Sequence, residues 1–229
     1  MKLLTRTKKQ VTNPPNIYKT MILGTAGSGV TTLTRTFIWE CYYDDPTIEG
    51  SPVYNHFSHL VNHTDHQVDS YRKRISIDNE QVILEVLDLG SYTHDEAGSA
   101  LRKLYMKDSE GFMLVYSITS RESFRGLDAI RSEILDDRNR SAVPFVLVAS
   151  KSDLEEQRVV SHQEGEELAL SWECPYLTTN ATIYDDAIQG PFEQMVREIR
   201  KSREGAKTPR VEERGDRRKT RSLGDCMIL

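Results

Sequence analysis

Apolar residues arrive in this chain as short runs, separated by longer stretches with helical spacing. Residues 17–23 read as a strand that runs into a glycine-rich turn, and 31–41 carry Leu33, Phe37 and Ile38 at the spacing of a helix face. Residues 72–77 and 82–87 flank Asp78-Asn79-Glu80 and read as a hairpin. The runs at 111–118 and 143–149 are continuous, the pattern of strands buried on both faces. Amphipathic stretches near 99–107, 123–135, 162–171 and 185–200 predict helices between and after them. Strands alternating with helices predict an α/β fold, a mostly parallel sheet covered on both faces. Ligands of such sheets lie at the carboxyl ends of the strands, where the glycine turn falls.

That turn is Gly24-Thr25-Ala26-Gly27-Ser28-Gly29-Val30-Thr31, the frame G-x-x-x-x-G-K-[ST] with valine in the lysine's place. In this motif the glycines let backbone N–H groups wrap phosphates, the lysine neutralises the outer ones, and the hydroxyl takes Mg²⁺. The cradle, the Thr31 hydroxyl and the adjoining Thr32 are present, and the cation is not. A strand before the loop and a helix after it are the context a phosphate loop requires.

With 229 residues, 38% hydrophobic and 28% charged, the chain is long enough for one α/β core plus tails. No apolar run approaches a membrane span, and Met1-Lys2-Leu3-Leu4-Thr5-Arg6 lacks the apolar core of a signal peptide. Cys41, Cys174 and Cys226 make no disulfide framework, so the expectation is a cytosolic protein unless something anchors it. Residues 197–221 hold eleven Lys or Arg against five Asp or Glu, a local +6 in a chain of net charge −5. A basic tail on an acidic body points to an anionic surface. Nucleic acid is disfavoured, because neither stacking aromatics nor a recognition helix accompanies the tail.

Over roughly residues 18–200 the chain resembles the Ras family of small GTPases. The resemblance is carried in order by Asp45-Pro46-Thr47-Ile48-Glu49, Asp69-Ser70-Tyr71-Arg72-Lys73, Glu110-Gly111-Phe112, Leu114-Val115-Tyr116-Ser117-Ile118 and Val196-Arg197-Glu198-Ile199-Arg200. It implies a P-loop G domain with a six-stranded, mostly parallel sheet over 17–201, GTP or GDP with Mg²⁺ as cofactors, and two switch segments that sense the γ-phosphate. By position it implies Gly24, Thr25, Ala26, Gly27, Ser28, Gly29, Thr31 and Thr32 at the phosphates. Thr31, Thr47 and Asp88 fall at Mg²⁺, and Ser150, Lys151, Asp153, Asn180 and Ala181 at the base. The Asp153 carboxylate can accept both guanine N–H donors, and the Lys151 stem can lie over the ring. Ser150 stands where the family has asparagine, so the expectation is a weaker base contact and a weaker tie to the phosphate loop. Thr182 likewise stands in place of a lysine. No glutamine occurs between Asp88 and Gly111, so no side chain of that type orients the attacking water, and no catalytic residue is assigned.

Residues 50–68 separate Glu49 from Asp69, which are adjacent in the family's effector segment, and read as an insert. His56, His59, His63 and His66 would share one face if this insert were helical, a zinc arrangement weighed against a plain histidine-bearing loop. Cys226-Met227-Ile228-Leu229 reads as a CaaX box, with Arg217, Arg218, Lys219 and Arg221 as its polybasic companion. Residues 1–16 read as a flexible extension and 202–225 as a flexible tether. The expectation is a prenylated, membrane-attached guanine-nucleotide switch with poor intrinsic hydrolysis, on the cytoplasmic face of the plasma membrane or another membrane. Exchange factors, GTPase-activating proteins and effectors are the partners the resemblance implies. The competing expectation is a pseudo-GTPase, a lipid-anchored adaptor that does not cycle nucleotide.

Overall fold

The computed structural model describes residues 16–40, 69–89, 96–138 and 143–207. Its strands are β1 (Asn16–Leu23), β2 (Asp69–Ile77), β3 (Glu80–Asp88), β4 (Gly111–Ser117), β5 (Phe145–Ser150) and β6 (Tyr176–Thr178). They form one sheet in the order β2-β3-β1-β4-β5-β6, parallel throughout except for the β2–β3 pair. The helices are α1 (Val30–Trp39), α2 (Glu96–Asp108), α3 (Arg121–Arg125), α4 (Leu127–Asp137), α5 (His162–Ser171) and α6 (Asp186–Lys207).

Every residue of β4 and β5 is buried, as the continuous apolar runs require. Alternate side chains leave on opposite faces and build two cores. Ile22, Val86, Met113, Val115 and Val148 join Leu33 and Phe37 of α1 and Phe192, Met195 and Ile199 of α6 on one face. Met21, Leu23, Phe112, Leu114 and Leu147 join Met106 of α2, Ile130 and Ile134 of α4 and Ala169 of α5 on the other. Phe37 and Phe192 stack with ring centroids 3.7 Å apart and fix α1 against α6.

The β2–β3 hairpin turns on Asp78 and Asn79 alone, with φ of +51° and +64°, so Glu80 belongs to β3. Two left-handed residues give the turn whose twist matches the strands. The stretch expected as one helix over 123–135 is two, α3 and α4, divided at Gly126. A Cβ there would stand 2.6 Å from Thr25 Cγ2, so the phosphate loop packs against the division. The last helix also departs from expectation. It runs to Lys207, into the stretch read as tether, and Arg203 holds it there by pairing with Glu110 and donating to the Ile17 carbonyl at 2.8 Å. Composition alone misses this because the contacts are made by the charged side chains themselves. Residues 1–15, the insert and 208–229 lie outside the described residues.

Candidate functional site

The chain leaves β1 at Leu23 and enters α1 at Val30 through the glycine loop. Gly27 and Gly29 have φ of +76° and +90°, which glycine adopts without a Cβ penalty. Gly24 is needed for space instead: a Cβ would stand 2.4 Å from Ser28 Oγ and 2.5 Å from the Val115 carbonyl oxygen. The Ser28 N–H closes the loop on the Thr25 carbonyl at 3.1 Å. Gly29 caps α1 with no side-chain hydrogen bond. The Leu33 N–H bonds back to Gly29, while the earlier N–H groups of Val30, Thr31 and Thr32 have no place in the helical ladder. Such an end favours an anion. Nothing stands within 4 Å of a Cβ on Gly27, so the rim of the loop is open.

Val30 is 4% exposed and belongs to the apolar cluster of Ile22, Leu33 and Val115. The side chain that would carry the cation is therefore part of the core under the loop. Thr31 is half-buried and Thr32 exposed at the first turn of α1. Asp88 ends β3 in register with Ile22 and is buried. A hydroxyl and a carboxylate are the oxygen donors a hard cation such as Mg²⁺ takes, so these residues fit that ion. Thr47, the third implied ligand, lies outside the described residues, as do the four histidines of the insert. Among the described residues no group of three or more His, Cys, Asp or Glu side chains is arranged to hold a metal.

On the base side, β5 ends on Ser150, and Ser150 Oγ donates to the Ser28 carbonyl at 2.5 Å. A tie to the loop is thus made with serine at 150: the short side chain reaches the loop backbone directly, because Gly29 lets the two segments approach. A Cβ on Gly29 would lie 3.3 Å from Ser150 Oγ and 4.0 Å from Lys151 Cε. Lys151 takes φ +62° and lays its stem beside the loop. Asp153 is exposed in the 3₁₀ turn Ser152–Gln157. The Ser152 N–H donates to the Thr179 carbonyl at 3.1 Å and joins this turn to the segment after β6. There Asn180 Oδ1 accepts from the Thr182 N–H at 2.9 Å and from the Thr182 hydroxyl at 2.7 Å, so Thr182 shapes the turn. The Ala181 carbonyl accepts from Thr36 Oγ1 of α1 at 2.9 Å.

Residues 24–31, 150–153 and 179–182 are thus tied together at the carboxyl ends of β1, β5 and β6. Sequence reasoning missed Thr36 and Thr179, which do this tying. A threonine on the buried stripe of α1 was the available signal for Thr36. Thr179, which is fully buried, carried none beyond its place at the strand end.

A glycine loop between the first strand and first helix, met by the loop after β5, which is itself joined to the segment after β6, defines a P-loop nucleotide-binding domain. The Ras family model matches residues 50–201. The chain is 35% identical over 216 residues to "Ras-like protein rasB" of Dictyostelium discoideum, covering 93% of this chain and 98% of that protein. It is 38% identical over 186 residues to a "Ras-like protein" of Laccaria bicolor, covering 80% and 78% respectively. The chain belongs to the Ras family of GTP-binding proteins, and the six-stranded, mostly parallel sheet is the fold expected of it.

Proposed function

We propose that this protein is a guanine-nucleotide-binding signalling protein that acts at a membrane and hydrolyses GTP poorly without help. The observation that carries the reading is the meeting of the glycine loop with Ser150 and Lys151 at Gly29. The N–H groups of the loop and of the first turn of α1 would receive the phosphates. Thr31, Asp88 and Thr47 would hold Mg²⁺, which when bound offsets phosphate charge and orients the terminal phosphates. Asp153 would read the two N–H donors of guanine, with the Lys151 stem on the ring and Asn180 and Ala181 closing the far side. The proton of Ser150 is engaged with Ser28, so the base is left to these partners.

Valine at 30 removes charge-assisted contacts totalling about 3 to 6 kcal/mol, roughly two to four decades of affinity. Backbone contacts and the metal then supply most of the phosphate binding. The missing glutamine after Asp88 leaves the attacking water without a side chain to orient it, hence slow turnover. Cys226 with the basic residues before it would take a prenyl group and hold the protein on an anionic cytoplasmic surface. There it would meet exchange factors, GTPase-activating proteins and effectors.

The second reading, an adaptor that never cycles, is favoured by one observation: Val30 lies in the core, where a lysine would have to be turned outward. Binding of GDP, GTP and ATP with Mg²⁺, for the native protein and Val30→Lys, decides between them. Guanine-selective binding by the native protein supports the switch. Binding only by the variant supports the adaptor.

A further inference from the structure

Lys73 lies on β2, four residues from the start of the strand, and its side chain is only 12% exposed. Its ammonium group is held from three directions. It donates to the Phe37 carbonyl in the last turn of α1, pairs with Glu40 Oε1 at 3.0 Å, and donates to Tyr184 Oη at 3.3 Å. It also stands over two rings, 4.6 Å from the Phe37 centroid and 5.1 Å from that of Tyr184. Lys73 and its partners come from three separate parts of the chain. Phe37 and Glu40 end α1, where the chain departs toward residue 41; Lys73 is where it has returned into the sheet; Tyr184 follows the base-side turn at 179–182.

The chemistry explains why a cation is needed. The carboxyl end of a helix is a centre of partial negative charge, and Glu40 adds a full one in the left-handed residue that caps α1. The Lys73 ammonium satisfies both, and its neighbourhood holds the Glu40 carboxyl below the usual carboxylate range. Aromatic faces on two sides add cation–π attraction that a neutral side chain would forfeit. The same end of α1 grips the base-side turn a second time, through Thr36 and the Ala181 carbonyl. Lys73 and Thr36 therefore act on one turn from neighbouring positions, and Lys73 connects that turn to β2.

We propose that Lys73 is a positioning residue for the base-side turn, coupling the return of the chain into β2 to the grip on the bound nucleotide. Lys73 touches no ligand itself. Removing its charge takes away the cation that Tyr184 and Glu40 share, leaving only the direct contact between those two side chains, and so loosens residues 179–184 on α1 and lets the nucleotide leave faster. A partner that pulled on β2 would act on the same turn by the same route. This inference rests on the guanine-nucleotide reading above.

The test is the GDP dissociation rate with Mg²⁺ present, for the native protein, Lys73→Met, Lys73→Arg, Tyr184→Phe and the Lys73→Met/Tyr184→Phe pair, each with its thermal midpoint. Lys73→Met should release GDP faster by about 5- to 150-fold, the ordinary range of site-to-site coupling. Lys73→Arg, which keeps the cation, should recover most of the native rate. The double variant should fall well short of the product of the single effects. Amide hydrogen exchange at 179–184 in nucleotide-free protein gives a second, ligand-independent arm, and should be faster in Lys73→Met than in the native chain. Native-like GDP release and native-like exchange in Lys73→Met overturn the proposal, as does failure of Lys73→Arg to rescue while its midpoint is unchanged. If the native chain binds no guanine nucleotide, the nucleotide reading fails, and the exchange arm still decides whether Lys73 holds the turn.

Discussion

Single residues decide how much of the family's chemistry this chain keeps. Val30 is the plainest case, because its side chain serves the core and not the phosphates. Val30→Lys should tighten guanine-nucleotide binding by roughly two to four decades, measured by equilibrium titration with Mg²⁺. A change below about tenfold would mean that the cradle holds the phosphates without needing the cation. Ser150 shows the opposite behaviour. Its hydroxyl hydrogen-bonds the loop backbone at Ser28, so a residue shorter than the family's still joins base side to phosphate side. Ser150→Ala should loosen the loop and lower nucleotide affinity by about tenfold, the worth of one buried hydrogen bond. Ser150→Thr, which keeps the hydroxyl, is the control that separates this loss from packing.

At the scale of elements, the site depends on close approaches that leave no room for a side chain. Gly111 opens β4 where α6 crosses it, and a Cβ there would lie 2.6 Å from Met195 Cε and 2.9 Å from Ile199 Cγ1. Gly111→Ala should cost about 1 to 3 kcal/mol of stability, read from urea unfolding, because α6 must shift or its side chains repack. Helix ends are controlled as tightly. Ser161 and Glu164 form a reciprocal cap on α5, and Arg121 pairs with the same carboxylate. Arg121 first, then the backbone N–H and hydroxyl of Ser161, pull the Glu164 carboxyl down to about 2. A carboxyl lowered by folding stabilises the native state above its unfolded value, and that stability is lost as pH falls through the folded one. Unfolding midpoints compared at about pH 6 and about pH 3 should therefore fall more for the native chain than for Glu164→Gln. Equal falls would show that the cap contributes nothing to acid sensitivity.

At the scale of the whole molecule, the membrane attachment proposed above rests on charge and on a lipid, and each can be tested separately. The +6 of residues 197–221 in a chain of net −5 separates a basic end from an acidic body, although the arginines of α6 are partly engaged within the fold. Arg197 and Arg200 bind Asp78 and Arg200 also binds Glu80, so α6 holds the β2–β3 hairpin through the same charges that composition alone assigns to a membrane tail. Prenylated protein should sediment with vesicles containing phosphatidylserine and leave them as salt is raised. Cys226→Ser should stay in solution under every condition. Salt-independent sedimentation would show that the basic residues add nothing to the lipid.

Most strands and helices were legible because they have a local signal: apolar runs in β4 and β5, alternation in the hairpin, and a helical stripe in α1 and α5. The order of the motifs, Gly24 through Ala181, also lies in the sequence, because glycine conformations and the oxygen donors of Thr31 and Asp88 are properties of residue type. Three features have no local signature. A three-residue β6 is too short to show a pattern, and the division of α3 from α4 at Gly126 follows from the approach of Thr25. The extension of α6 to Lys207 comes from ion pairs with residues nearly a hundred positions away, Arg203 with Glu110 among them. The same reason governs the site. Sequence chose the chemical groups, but Ser150 closing on Ser28, Thr36 holding Ala181 and Lys73 bridging α1 to Tyr184 are long-range contacts, created when the sheet brings distant segments to one end.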